Sequence, residues 1–348
     1  MEYFSEEEKE KLKSFDKIIV WGFPLNTHTH SYIHAMWVKV FNYLGKDTYW
    51  FHDKDYPRDF NYENCLFITE GYADSNIPIL NSSTYFVHFC VNPKKYLDKG
   101  CRLIEIRFNV DEMHDCNMDF NLNDGTHNII DISSETRYEK LTSNKDLNPN
   151  KRNHKIDNMN YEAVYLHWGT DLLPHEFNYD IEKHKCNNII HYIASPHGSE
   201  NFNDFVKICK RNNIIFEYSN PWSRPKSFEE TKKLMQDSIL SPDFRPTGSH
   251  RDIKEYGIKN GKNHLEIGYL PCRVLKTISY GRVGITDSKR VKEILGEHVL
   301  YHENMEELFN LAMKEKDNKE MIKKAMDHVK KHHTYVQRVR DLMRCLIK

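Results

Sequence analysis

Twice in this 348-residue chain a short apolar run stops at a turn and gives way to an amphipathic segment, and that repeated start leaves few folds open. The first run is Lys17-Ile18-Ile19-Val20-Trp21, ended by Gly22 and Pro24. Ser31 to Leu44 follows with apolar residues at Ile33, Met36, Trp37, Val40, Phe41 and Leu44, which is helical spacing, and Gly45 is a good stop. The second run is Ile189–Ala194, then a glycine-containing turn, then the amphipathic Asn203–Asn212. Between and after these starts, strands are expected at Thr48–Phe51, Cys65–Thr69, Tyr85–Cys90, Leu103–Phe108, Ala163–Leu166, Ile214–Tyr218, Ser238–Ser241, Val283–Thr286 and His298–Tyr301. The polar stretch 109–159 predicts an irregular excursion with one short strand near Ile129–Ile132, and the chain from Asn304 onward predicts helix. Strands alternating with helices in two halves, joined by a polar bridge at about 174–188, predict an α/β protein of two doubly wound domains.

Charge narrows the partners. Lys plus Arg is 50 and Asp plus Glu is 51, a formal net charge of -1, so the basic excess of a nucleic-acid binder is missing and no nucleic-acid partner is expected. The eight cysteines are scattered without a CxxC pair, which argues against a disulfide framework or a zinc ribbon. The acidic opening MEYFSEEEKEKLKSF has no apolar core of a secretory signal, and no apolar run approaches the ~20 residues of a membrane span. A cytoplasmic location with no transmembrane segment is the expectation.

Chemistry concentrates in three places. The stretch Gly268-Tyr269-Leu270-Pro271-Cys272-Arg273-Val274-Leu275-Lys276-Thr277-Ile278-Ser279-Tyr280-Gly281 opens a helix from a Gly-Pro loop and puts two cations in its first turns. A helix N-terminus offers unpaired N–H groups and partial positive charge, which suits a diphosphate, and Arg273 and Lys276 can share a face. The loop Gly22 to Tyr32 follows the first strand, where doubly wound domains meet their ligands; it carries Gly22, Asn26, His28 and His30. Imidazoles exchange protons near neutral pH, so a histidine here could serve as a base. The turn Ser195-Pro196-His197-Gly198-Ser199 holds the matching position in the second half but lacks a cation, leaving backbone N–H groups at Gly198 and the Ser195 hydroxyl as candidate contacts.

The 268–281 stretch resembles the donor-binding segment of GT-B-fold glycosyltransferases, of the "glycosyl transferases group 1" type and its spore-maturation-like relatives. Ser238-Ile239-Leu240-Ser241-Pro242 is similar to the strand and serine before that segment, with an insertion at about 243–265 that carries Arg245. His167-Trp168-Gly169-Thr170-Asp171 looks like the loop closing the first domain of these enzymes. His332-His333-Thr334-Tyr335-Val336-Gln337-Arg338 resembles the start of their last helix, which commonly returns to the first domain. The resemblance implies two Rossmann-like domains facing each other across a cleft. Residues 1–173 would be the acceptor side, 174–331 the donor side, and 332–348 a helix packing back on the first domain.

The implied activity is transfer of a hexosyl or pentosyl group from a UDP- or GDP-linked sugar to a hydroxyl of a glycan, glycoprotein or glycolipid. It is expected to be retaining and metal-independent, with no cofactor. Arg273 and Lys276 would hold the diphosphate, and Ser241 with the Tyr269-Leu270-Pro271 loop, Cys272 and Thr277 would lie near the nucleotide. His30 would be the catalytic group of the first domain, beside His28. One departure stands out: retaining members carry a glutamate pair here, and this chain has Lys276 and Gly268 at those positions, with Glu266 out of register. Two rivals use other features. His28 and His30 form an H-x-H pattern of the kind that binds metal in amidohydrolase-like enzymes, and the missing glutamates fit a non-catalytic binding module.

Overall fold

The computed structural model describes residues 3–28, 30–88, 90, 92–107, 129–132, 137–140, 153–156, 161–183, 186–194, 200–221, 223–244 and 270–347. In chain order the first part runs α1 (Glu6–Lys13), β1 (Lys17–Trp21), α2 (Ser31–Tyr43), β2 (Thr48–Phe51), β3 (Cys65–Glu70), β4 (Thr84–His88), α3 (Lys94–Leu97), β5 (Arg102–Arg107), β6 (Ile129–Ile132), β7 (Arg137–Lys140), β8 (Asn153–Ile156) and β9 (Tyr161–Tyr165). The second runs β10 (Ile189–Ile193), α4 (Glu200–Arg211), β11 (Ile215–Ser219), α5 (Phe228–Asp237), β12 (Pro242–Asp243), α6 (Cys272–Ser279), β13 (Gly284–Thr286), α7 (Lys289–Leu295), β14 (Val299–Tyr301), α8 (Met305–Glu315), α9 (Lys319–His332) and α10 (Tyr335–Ile347).

A seven-stranded sheet in the order β2-β1-β3-β4-β5-β9-β6 dominates the first part, parallel throughout except for the antiparallel β6 at its edge. Its central strands are apolar along nearly their whole length because both faces are covered. Ile18, Val20, Leu66, Ile68, Phe86 and Ile104 pack on one side with Phe41 of α2, Leu12 of α1 and Val339 and Leu342 of α10. Ile19, Trp21, Phe67, Tyr85 and Leu103 point the other way, onto Tyr62 and Tyr96. Helix α1 starts at Ser5 with a capping box: the Ser5 hydroxyl accepts from the Glu8 N–H, and the Glu8 carboxylate accepts from the Ser5 N–H at 2.7 Å.

The second part has two small parallel sheets, β10-β11 and β12-β13-β14. The chain entering β12 joins them, since Ser238 bridges to Asn187 and the Ile239 N–H donates to the Ile189 carbonyl at 2.8 Å. The spatial order is therefore β11-β10-β12-β13-β14, the same second-first-third-fourth-fifth pattern as β2-β1-β3-β4-β5. The expected strand at Ser238–Ser241 makes one bridge, and the regular ladder begins at Pro242. The hairpin of β7 and β8 lies in the stretch expected to be irregular.

Helix α10 returns to the first sheet. Arg344 donates to Glu8 at 2.7 Å, and Arg102 reaches the Cys345 carbonyl at 2.9 Å. No helix among the described residues is long and apolar enough to cross a membrane.

Candidate functional site

In a doubly wound sheet the ligand crevice opens where the strand order reverses, beyond the carboxyl ends of the strands. In the first sheet that point lies between β1 and β3. The loop after β1 carries His28 and His30, β3 ends on Glu70, and the adjoining β4 ends on His88. These groups meet. His30 Nδ1 lies 2.9 Å from both Glu70 oxygens, and Glu70 is 1% exposed. A carboxylate only accepts, so Nδ1 carries a proton and donates it to Glu70. His28 Nδ1 accepts the His30 backbone N–H at 3.1 Å, and Phe23 stacks on the His28 ring at 4.0 Å. His34 Nε2 approaches Glu70 to 3.7 Å, and the rings of His88 and Trp168 stand 5.3 and 6.3 Å from that of His30.

Burial acts on these imidazoles. It pushes His34 down to about 4, against the pull of the nearby Glu70 carboxylate. It holds His88 well below the ordinary histidine range, helped by His30 and His34, and it lowers His28, with His30 as the second cause. A protonated ring is costly to bury, so burial favours the neutral form of His28, His34 and His88.

Gly22 serves a neighbour rather than open space: a Cβ there would stand 2.1 Å from His34 Cε1. Gly22, picked out by its place in this loop, leaves the room that the His34 ring fills. Asn26, in the left-handed region at φ 67°, shapes the turn and accepts from the Tyr32 hydroxyl at 3.0 Å.

The second switch point lies between β10 and β12. Arg273, in the first turn of α6, sits 3.1 Å from Asp243 and donates to the Tyr192 hydroxyl at 2.9 Å, its guanidinium 4.7 Å above the Tyr192 ring. Asp243 is fully buried at the end of β12, and its carboxylate helps hold Arg273 at the crevice. Leu270 and Pro271 are buried under the helix start, and Cys272 is a half-buried free thiol. Ser241, just before β12, and Thr277 are both buried and hydrogen-bonded to each other at 3.0 Å, a clasp between the start of β12 and α6.

Lys276 has other partners than Arg273. Its ammonium lies 3.3 Å from Asp171 and 5.1 Å over the Phe228 ring, with 14% of the side chain exposed. Burial opposes its charge most strongly, yet Asp171 and its neighbours outweigh that and hold it above the ordinary lysine range. Tyr280 donates to the same Asp171 at 2.5 Å, and Thr170 pairs with Ser279 at 2.7 Å. The shared face expected for Arg273 and Lys276 is thus divided: Arg273 stays at the crevice and Lys276 ties α6 to the 167–171 loop. Ser195, Gly198, Arg245 and Tyr269 lie outside the described residues.

That loop meets the other quoted motif. Thr170 N–H donates to the His333 carbonyl at 2.8 Å, and buried Arg338 donates to the carbonyls of His332 at 3.0 Å and Trp168 at 3.3 Å. Gly169 is required there, because a Cβ would sit 2.8 Å from the Tyr335 ring and 3.0 Å from its backbone nitrogen. Glu70, His88, Tyr192 and Asp243 were not expected from the sequence. The signal was present for Glu70: a lone carboxylate closing the apolar run Cys65-Leu66-Phe67-Ile68-Thr69.

A family model described as glycosyl transferase-like matches residues 253–344, which include α6 to α9 and most of α10. No curated protein matches the chain in sequence. Among solved structures, the crystal structure of an α1,3-fucosyltransferase is similar at TM-score 0.40 and 11% identity, covering 93% of this chain and 85% of that one. The C-terminal part of the chain is glycosyl transferase-like in sequence, on an α/β fold of parallel sheets.

Proposed function

We propose that this protein transfers a sugar from a nucleoside-diphosphate donor to a hydroxyl acceptor, as a GT-B-type glycosyltransferase, with inversion at the anomeric carbon. Residues 1–173 form the acceptor side and 174–331 the donor side, with 332–348 returning to the first. The observation that carries this reading is the His30–Glu70 pair at the first switch point. Glu70 orients the ring through Nδ1 and stabilises the imidazolium formed when Nε2 takes the acceptor proton. The acceptor oxygen then attacks the anomeric carbon as the bond to the diphosphate oxygen breaks. Negative charge grows on that leaving oxygen, and the N-terminus of α6 and the Arg273 guanidinium, with donors beyond those spent on Tyr192 and Asp243, are placed to receive it.

Inversion replaces the retention expected from the family resemblance. A base on the acceptor side is what a single displacement needs, and the glutamate pair of retaining relatives has Lys276 in place of one member, a lysine engaged with Asp171. The transfer step calls for no metal, since the cations and the helix N-terminus answer the charge.

The test is direct. Purified protein is incubated with UDP- and GDP-linked sugars and a panel of glycan acceptors in the presence of a chelator, and the product's anomeric configuration is read by NMR. Transfer with inverted configuration supports the reading; a retained configuration removes the His30 base. A hydrolytic reading has one observation on its side, the grouping of His28, His30 and Glu70, and it requires chelator-sensitive hydrolysis without transfer.

A further inference from the structure

We infer that His28, His30 and Glu70 form a binding site for a divalent transition metal of the zinc class, and that the metal switches the site off. Each residue offers one ligand atom, and the three atoms lie within 4.8 Å of one another. Ligands around zinc at ~2.0–2.2 Å stand about 3.4 Å apart in a tetrahedron, so small rotations of the two loop histidines close the set. Two imidazoles and a carboxylate are ligands of the borderline character zinc takes in His-and-carboxylate sites with one open position. The carboxylate is rooted at the end of a central strand with 1% exposure, whereas His28 and His30 sit half-buried on the loop above it, so the site has a rigid floor and an accessible mouth.

His30 Nδ1–H donates to Glu70, the contact that orients the ring in the proposed transfer. A metal held by His30 and Glu70 would break that contact and occupy both groups, so zinc acts as an inhibitor rather than a cofactor. This second half rests on the proposed role of His30; the binding half does not.

The experiment is equilibrium dialysis of the metal-free protein against zinc, with cobalt absorption as the spectroscopic readout, on wild type, His28→Ala, Glu70→Gln and His328→Ala. Glu70→Gln keeps the shape of the strand end, and His28→Ala lies on a loop, so loss of binding in both with unchanged circular dichroism cannot come from unfolding. His328→Ala controls for the other histidine cluster, where the rings of His298 and His332 lie 4.1 and 4.9 Å from that of His328. One zinc per chain, weakened more than about 100-fold in the first two variants and unchanged in the third, is the expected result; that loss exceeds what an outer-shell partner costs. No stoichiometric binding by wild type, or binding that survives both substitutions, overturns the site. Zinc bound as expected but leaving transfer rates untouched keeps the metal site and removes His30 as the base. Zinc that instead turns on hydrolysis overturns the inhibitory role.

Discussion

The two switch points share one strand order and opposite chemistry. Between β1 and β3 the crevice is floored by a buried carboxylate and ringed by histidines; between β10 and β12 it holds an arginine braced by a buried aspartate and a tyrosine. The first set is suited to moving a proton, the second to meeting a developing anion. Topology supplies the place in both cases, and the carboxylates that end the strands, Glu70 and Asp243, each hold a basic side chain there, His30 and Arg273. A chain that must handle two different charges at one reaction can do so by loading two copies of the same architecture differently.

Substitutions that unload one side at a time test that contrast. The largest effect is expected at the first switch point: His30→Ala should lower kcat by ~10²–10⁴-fold while donor binding, followed by calorimetry, stays within a small factor. Equal loss of donor affinity would erase the division of labour. Next comes the junction. Lys276→Met leaves Asp171 buried without its cation and should cost about 3–5 kcal/mol in denaturant unfolding, with the double change Lys276→Met, Asp171→Leu recovering part of it. A destabilisation below about 1 kcal/mol would mean the pair behaves as a surface contact.

Arg273→Ala should lower turnover by ~10²–10³-fold and leave acceptor KM unchanged, the mirror image of the His30 result. Acid should weaken both halves by a common cause. His34, pushed down to about 4, and His328, pushed down to about 3 chiefly by burial, stay neutral in the folded protein, while the unfolded chain takes up protons as pH falls below about 6.5. Stability is therefore full above that pH and lost on the way down, at up to about 1.4 kcal/mol per pH unit for His34. His34→Gln should flatten the pH dependence of the unfolding midpoint between pH 6.5 and 4. The smallest effect is expected at the clasp: Thr277→Val should cost about 1 kcal/mol, the net worth of one buried hydrogen bond, with little change in kcat.

The strands of the first sheet were legible because they are buried on both faces. Lys17–Trp21 and Thr48–Phe51 have the bounds expected, and α2 differs by one residue at its end. Strand β3 ran one residue further than expected, and that residue is Glu70. A carboxylate reads as a strand stop on hydropathy alone, although here it continues the ladder and lies opposite His88. Its partner His30 was picked out by position in the loop, but nothing in one-dimensional spacing says that residues 30 and 70 touch. Asp243 and Asp171 were hidden for the same reason: each is read only against the cation that faces it. Arg273 and Lys276 can share a face by spacing, but spacing does not say that Asp243 waits for one and Asp171 for the other.

The return of α10 to the first sheet has a consequence for how the protein is made. Val336, Leu342 and Met343 complete a core whose other members begin near residue 4, and Arg344 closes on Glu8 across 336 positions of sequence. Until α10 has emerged from the ribosome, the apolar face of Val20 and Phe86, packed with Leu12 and Trp37, lacks the part of its cover that α10 supplies. The nascent first sheet therefore waits, partly dressed, while the second assembles behind it, and contacts of such long sequence separation close slowly. Shielding by a chaperone during that interval is the natural counterpart of a core that is finished last where it was started first.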